Sequence, residues 1–500
     1  MALSDQLTAL ATASKALIGS APTPTRIAHS ALHPRNAHPT HRAGYGPVLT
    51  LPDFGSKVRT RLQAQMRRMA LPALALKRRE PLWFGAPLPP RADILFLSHF
   101  TNPARPYSAP DAYFGDMPEA LHAQELTTVT ACLNHTWIGE KDIDVKTPVG
   151  PTRVILSRTL RAREEWRMGT ALSKDIADMA RSATGTDLTE ALLAHLRRTT
   201  PDSASLTAFR TAHQVSALVQ ALRPKALVFT FEGHPWERLA MQAARTVMPD
   251  IQCIGYHHTV LFPHQMALAN AFGARFDPDL ILTAGTVAAD WFKTQAAWKT
   301  TPVQVLGSPR APKPTANLSR SHETSTTLCL VAPEGLADES LFLFRAAREA
   351  ATQAPHIQFC LRLHPVLRKD RLLAIAHDLT QLPPNVSWSD KSVDQDLNAA
   401  THILYRGSTL SITAVLTGLQ PLYLRMPDEP VSIDPLAALD GWRICVRDPA
   451  DLAHHLLNPA SLAEQSLDYE AAAQYCRAYF QPLQPDVQLA SIGKSGKVLS

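Results

Sequence analysis

From residue 92 onward the chain alternates short, uninterrupted apolar runs with longer stretches in which apolar residues recur every three or four positions. Unbroken apolar runs suit strands buried on both faces and the longer stretches suit amphipathic helices, so the pattern predicts parallel sheets covered by helices. Strands are predicted at 93–98, 128–133, 153–156, 226–231, 252–256, 280–283 and 303–306, then at 327–331, 358–363, 402–405, 421–424 and 443–446. Between the two series lies a segment rich in Pro, Ser and Thr. It reads as a linker at 311–325, joining an α/β domain at 91–310 to a second at 326–485, with 486–500 as a tail. The helical stretch at 161–198 is longer than a crossover needs and is expected to shape a substrate site.

The first ninety residues lack this rhythm. Of the 40 prolines, 14 precede residue 111, and 22–41 is rich in Pro, Thr, Ala and His, so 1–50 is expected to be a poorly ordered leader. The next segment, 51–90, carries eight basic residues and no acid between Lys57 and Arg79, interleaved with Leu62, Met66, Met69, Leu71, Leu74 and Leu76. It reads as a basic amphipathic helix, either packed on the next domain or resting on the anionic inner face of a membrane. No secretory signal or membrane span is expected, because the longest stretch free of Asp, Glu, Lys, Arg and His, 407–424, is broken by Gly418, Gln420 and Pro421.

Composition narrows the picture. At 500 residues with 45% hydrophobic and 19% charged positions, the chain is neither a small disulfide-stapled module nor a disordered one. Lys plus Arg exceed Asp plus Glu by 50 to 44, an excess suited to an anionic small molecule or membrane surface and too weak to argue for nucleic acid. Six scattered cysteines without a CxxC point to buried free thiols in a reducing, cytoplasmic compartment.

In open parallel sheets ligands sit beyond the carboxyl ends of the strands, which selects the candidate residues. Glu232 ends the run 226–231, where partial desolvation is expected to raise its pKa and make it a general base; a helix-capping role is the structural alternative. Glu237, in the first turn of a helix expected to start near Pro235, is a second carboxylate, with helix-dipole stabilisation as its structural role. His257 and His258 follow another strand and are candidates to bond a substrate; no third ligand stands at a metal-binding spacing, and no metal is expected. In the second domain, Glu334 and Gly335 follow the first strand, and Gly335 would let backbone approach a phosphate. His364 precedes the strand-stopping Pro365 and could bond a phosphate or ribose. Arg406, Gly407, Ser408 and Thr409 form a turn into a helix whose free N–H groups favour phosphate, or which Ser408 simply caps. No GxGxxG, P-loop, HExxH or GxSxG stands in a strand-linked context.

Glu232-Gly233, His364-Pro365 and Ser408-Thr409, in that order, resemble the acidic-Gly, His-Pro and hydroxyl-pair motifs of bacterial GT-B glycosyltransferases that use CMP-activated sugars, the sialyltransferases and polysialyltransferases. Asp111–Pro118, Thr230–Glu237, Gly255–Thr259 and Leu306–Arg310 look like segments of bacterial surface-carbohydrate biosynthesis proteins, a likeness spanning about 92–480. The resemblance implies two Rossmann-like domains facing each other across a cleft, an acidic base, a histidine on the CMP moiety and hydroxyls on its phosphate. It further implies transfer, metal-independent and inverting, of a Kdo- or sialic-acid-like sugar to a surface glycan or lipid-linked acceptor of the cell envelope, capsule or lipopolysaccharide. No cofactor beyond the donor is implied. Phe231 stands where the family has a second acid, which leaves Glu237 as the other candidate base. The His-Pro and Ser-rich helix start also resemble CDP-glycerol glycerophosphotransferases. A non-catalytic nucleotide-sugar-binding protein of a polysaccharide assembly complex is the alternative outside enzymes.

Overall fold

The computed structural model describes residues 3–33, 62, 66, 69, 70, 72–77, 80–103, 107, 109–136, 138–143, 150–182, 187–262, 266–311, 327–427, 429, 432–439, 441–458, 462–484 and 489. Continuous apolar strands need cover on both faces, and two sheets provide it. The first contains Trp83–Gly85 (β1), Ile94–Phe100 (β2), Thr128–Asn134 (β3), Thr152–Leu156 (β4), Ala226–Thr230 (β5), Gln252–His257 (β6), Leu280–Thr283 (β7) and Val303–Val305 (β8). Their order is β1-β4-β3-β2-β5-β6-β7-β8, with β1 antiparallel to β4 and the other pairings parallel.

The second sheet contains Leu328–Pro333 (β9), Gln358–Leu361 (β10), Val386–Trp388 (β11), His402–Arg406 (β12), Gln420–Leu424 (β13) and Ile444–Val446 (β14). It runs β11-β10-β9-β12-β13-β14, all parallel, which is the doubly wound Rossmann order. The fold is therefore α/β with two Rossmann-like domains. Side chains of each central strand divide between two cores: Leu95 and Leu97 pack on one face of β2, Ile94 and Phe96 on the other, and Val331 and Leu330 divide likewise on β9. Strand order reverses between β2 and β5 and between β9 and β12, and the crevices there are the expected ligand positions.

All twelve predicted strands are present within two residues of their expected ends, and the structure adds β1 and β11, which the apolar pattern did not mark. The expected leader is a correction. Helices Leu3–Ile18 and Pro24–Ala28 pack on the first domain, burying Leu10, Leu17, Ile18, Ile27 and Leu32 in its core. Pro24 occupies the first helical turn, where its missing N–H costs nothing, and Ser30 bonds Asp202 and Ser205. The remainder of the expected leader (1, 2 and 34–50), much of the basic segment (51–61, 63–65, 67, 68, 71, 78, 79) and the linker at 312–326 lie outside the described residues.

The chain also crosses back at its end. After helix Leu462–Tyr479, the Tyr479 hydroxyl accepts from the Leu261 N–H at 2.6 Å, Ser308 bridges to Pro482, and Leu489 is buried near Leu306. Residues 481–484 and Leu489 thus pack on the first domain rather than ending the second. Cys132, Cys253, Cys329 and Cys476 are buried free thiols as expected, whereas Cys360 is half-buried and Cys445 exposed. Among the described residues no helix is long and apolar enough to cross a membrane.

Candidate functional site

At the reversal point of the first sheet, β5 ends at Thr230 and helix Pro235–Val247 begins five residues later, leaving Phe231–His234 as a tight turn. Glu237 builds that turn. Its carboxylate is fully buried and accepts the backbone N–H groups of Glu232, Gly233 and His234 at 2.8–3.1 Å. Burial pushes its pKa up to about 7, against the pull of His234 and these donors, which favour the anion.

Glu232 is in the opposite state. Its side chain is 36% exposed, with Oε2 3.2 Å from His234 Nε2 and Oε1 3.4 Å from His258 Nε2. Partial burial tends to raise its pKa, but the His234 hydrogen bond and the neighbouring imidazoles outweigh that and hold it below the usual carboxylate range. The expected upward shift toward neutrality therefore belongs to Glu237, and Glu232 is an ionised, solvent-reachable carboxylate held between two rings.

The two candidate substrate-binding histidines separate because successive strand residues face opposite sides. His258 points toward Glu232 and stands edge-on to Tyr113, with burial lowering its pKa to about 3. His257 points the other way, into the core against Phe292, 1% exposed and with both ring nitrogens unpaired. Its expected contact with acceptor is corrected: it lies beneath the sheet end.

The sequence reading missed His234, Tyr113 and His99. His99, at the end of β2, bonds His135 Nε2 through Nδ1 and Thr230 Oγ1 through Nε2, each at 2.8 Å. The Asp111–Pro118 segment is shaped by Asp111, whose Oδ1 accepts from Ser98 Oγ and the N–H groups of Tyr113 and Phe114. That motif therefore works by presenting Tyr113.

At the reversal point of the second sheet, Glu334, Gly335, His364, Gly407 and Ser408 converge. A Cβ on Gly335 would lie 3.1 Å from His364 Nδ1 and 2.8 Å from Val366 Cγ2, so the bare backbone is what lets the ring sit there. Gly407 has φ +62°, and a Cβ on it would lie 2.5 Å from Glu334 Oε2. His364 is half-buried, with Pro365 exposed beside it. Its pKa is lowered by burial and by Arg310, and Nδ1 accepts the Val366 N–H at 3.4 Å, which leaves the proton of the neutral ring on Nε2. His364 is thus a hydrogen-bond donor rather than a charge partner.

Helix Leu410–Leu416 is seven residues long, with Thr409 at its cap position making no side-chain cap bond and Ser408 Oγ 3.4 Å from the Leu410 N–H. Arg406 is a correction. It is fully buried, pairs with Glu339 at 2.6 Å and Glu429 at 2.7 Å, and bonds the Leu424 carbonyl, so it ties the sheet to its covering helix and does not reach a ligand.

The turn Gly307-Ser308-Pro309-Arg310 leaves β8, and the charge of Arg310 acts on both strand-end clusters. Arg310 is exposed and forms no side-chain ion pair among the described residues; its charge adds to burial in lowering the pKa of His258 and of His364, and opposes the burial that raises the pKa of Tyr113. Among the described residues no group of three or more His, Cys, Asp or Glu could hold a metal ion.

Comparison with protein families and with curated proteins finds no match. Among solved structures, the chain is similar to the glycosyltransferase SnogD from Streptomyces nogalater (13% identity, 80% of this chain, 98% of that one, TM-score 0.43). It is also similar to UDP-GlcNAc 2-epimerase from Neisseria meningitidis bound to UDP-GlcNAc (13%, 80% and 97%, TM-score 0.43) and to MurG from Acinetobacter baumannii (12%, 80% and 98%, TM-score 0.42). Likeness at this level says nothing about chemistry.

Proposed function

We propose that the chain is a GT-B glycosyltransferase that moves a sugar from a nucleotide-activated donor, CMP-linked and of the Kdo or sialic-acid kind, to a glycan or glycolipid acceptor. The observation that carries this reading is an ionised carboxylate held between His234 and His258 at the reversal point of the first sheet, together with the His364, Gly335 and Gly407 crevice at the reversal point of the second.

The nucleotide lies over the β9–β12 crevice. His364 Nε2–H donates to the phosphate, Ser408 and Thr409 offer hydroxyls, and Glu334 accepts from ribose hydroxyls. Arg310 neutralises the phosphate charge that develops as the leaving group departs. The acceptor hydroxyl approaches from the first domain and attacks the anomeric carbon. The carbon–oxygen bond to the phosphate breaks, CMP leaves with the bonding pair, and the acceptor proton passes to Glu232. Displacement in line inverts the anomeric configuration. A carboxylate with a depressed pKa is a weak base, so proton transfer lags until bond formation acidifies the acceptor oxygen.

Transfer rests on Glu232 alone, since Glu237 and His257 are buried away from the crevice. The test is a panel of CMP-, CDP-, UDP- and GDP-linked donors offered to the purified protein, scored by release of free nucleotide. Release from a CMP-sugar above the others supports the reading. Release from UDP- or GDP-sugars only moves the donor assignment, CDP-glycerol turnover favours the glycerophosphotransferase alternative, and binding without release leaves a nucleotide-sugar-binding protein.

A further inference from the structure

Beside the Glu232 turn the first domain carries an open cavity of about 490 Å³, between the ends of β3 and β4 and the starts of helices Ser203–Leu222 and Pro235–Val247. That is within the roughly 300–1,000 Å³ of small-molecule sites. Its wall is unusual in what it leaves unfinished. Ser157 is 3% exposed, yet its Oγ has no hydrogen-bond partner. A buried hydroxyl without a partner is costly and is the kind of group a ligand satisfies.

The rest of the wall is polar: Arg158 lines it and donates from Nη1 to the Thr136 carbonyl at 2.7 Å, and its other titratable groups are neutral or paired. Burial lowers the pKa of His99, to about 3, and of His135, so both rings are neutral near pH 7; His99 spends its two nitrogens on His135 and Thr230, and His135 spends Nε2 on His99. Arg210 is held by both oxygens of Glu165, at 2.7 and 3.0 Å. Trp236 lines the same wall with its ring held edge-on by His99. An aromatic surface flanked by neutral imidazoles and an unpaired hydroxyl matches a sugar ring, which has apolar C–H faces and a rim of hydroxyls. His234 lines the cavity too, and it bonds Glu232 at 3.2 Å, so a ring seated there lies next to the base.

We infer that this cavity is the acceptor subsite and takes a neutral pyranose residue; the word acceptor rests on the transfer reading above. The probes are a methyl glucoside, glucuronate, glycerol and CMP, titrated into the full-length protein with binding read by ligand-observed NMR. The methyl glucoside should bind, and Ser157→Ala should weaken it by about 2- to 10-fold, the loss of one hydrogen bond, with the melting temperature unchanged. Trp236→Leu should weaken it further, and Trp236→Phe should restore part of the loss, which separates lost stacking from a damaged fold. CMP affinity should be the same in all three variants.

Glucuronate bound about tenfold more tightly than the glucoside, with the preference lost in Arg158→Gln, would overturn the neutral-ring assignment in favour of an acidic acceptor. Glycerol binding as well as the glucoside, or no sugar binding by a protein that does bind CMP, would overturn the subsite itself. Sugar binding by a protein that binds no nucleotide would support the subsite and remove the transfer reading.

Discussion

Glu232 and Glu237 share one turn, and their surroundings give them different work. Three backbone N–H groups end on Glu237. Glu237→Gln turns an all-acceptor group into one that presents an NH₂ to donors, so at least one N–H loses its partner, at about 1–3 kcal/mol. A clear drop in melting temperature is expected, larger than the ~0.3–1 kcal/mol of an exposed first-turn acid. An unchanged melting curve would mean the turn does not need its clamp. Arg406 is a stronger case. Removing it takes its cation away from the buried carboxylates of Glu339 and Glu429, so Arg406→Gln is expected to cost roughly 3–5 kcal/mol in urea unfolding. A loss of nucleotide affinity without loss of stability would return Arg406 to the ligand site.

At the scale of elements, the strands were legible in the sequence because a parallel sheet buried on both faces writes itself as unbroken apolar runs. The site was legible only in part. Strand ends can be located from such runs, which found Glu232, Glu334, His364 and Gly407, but the direction a side chain takes past the last strand residue cannot. His257 and His258 are neighbours with opposite fates for that reason, and Arg406, still inside β12, turned into the core. His99 and Tyr113 were missed because their partners, Thr230 and His258, are remote in sequence. Helix Pro24–Ala28 was missed because proline content alone does not separate a leader from a helix start.

The close approach of β9 and β10 ends offers a test at this scale. Gly335→Ala puts a methyl 3.1 Å from His364 Nδ1 and 2.8 Å from Val366, and so shifts the ring from the crevice. Nucleotide affinity is expected to fall by about tenfold, about 1.4 kcal/mol, in calorimetric titration. Equal affinity in the variant would detach His364 from nucleotide binding.

Across the whole molecule, the buried histidines set the acid limit. Burial lowers the pKa of His33, His99 and His258 to about 3 and of His257 to about 4, below the unfolded value of 6.5. Between those values the unfolded chain binds more protons than the folded one, so stability is complete above about pH 6.5 and is lost as pH falls toward 4. Glu237, raised from 4.5 to about 7, acts in the opposite sense, since its contribution is lost as pH rises through that window. Four histidines against one glutamate decide the sign. The melting temperature is expected to be lower at pH 5 than at pH 7.5, and a higher value at pH 5 would show that these rings are accessible to protons in the folded state.

The returning segment after Tyr479 ties the second sheet to the first, and the proposed transfer pairs the ionised Glu232 of one with a nucleotide at the strand ends of the other. The most direct measurement of that arrangement is made on Glu232→Gln, with the donor that the wild-type protein turns over and with CMP as the binding probe. The variant keeps shape and hydrogen-bonding reach but cannot accept a proton. Nucleotide release is expected to fall by about 10²–10⁴-fold while CMP affinity stays the same. Release at the wild-type rate, or CMP affinity falling in step with release, would contradict the assignment of Glu232 as the base.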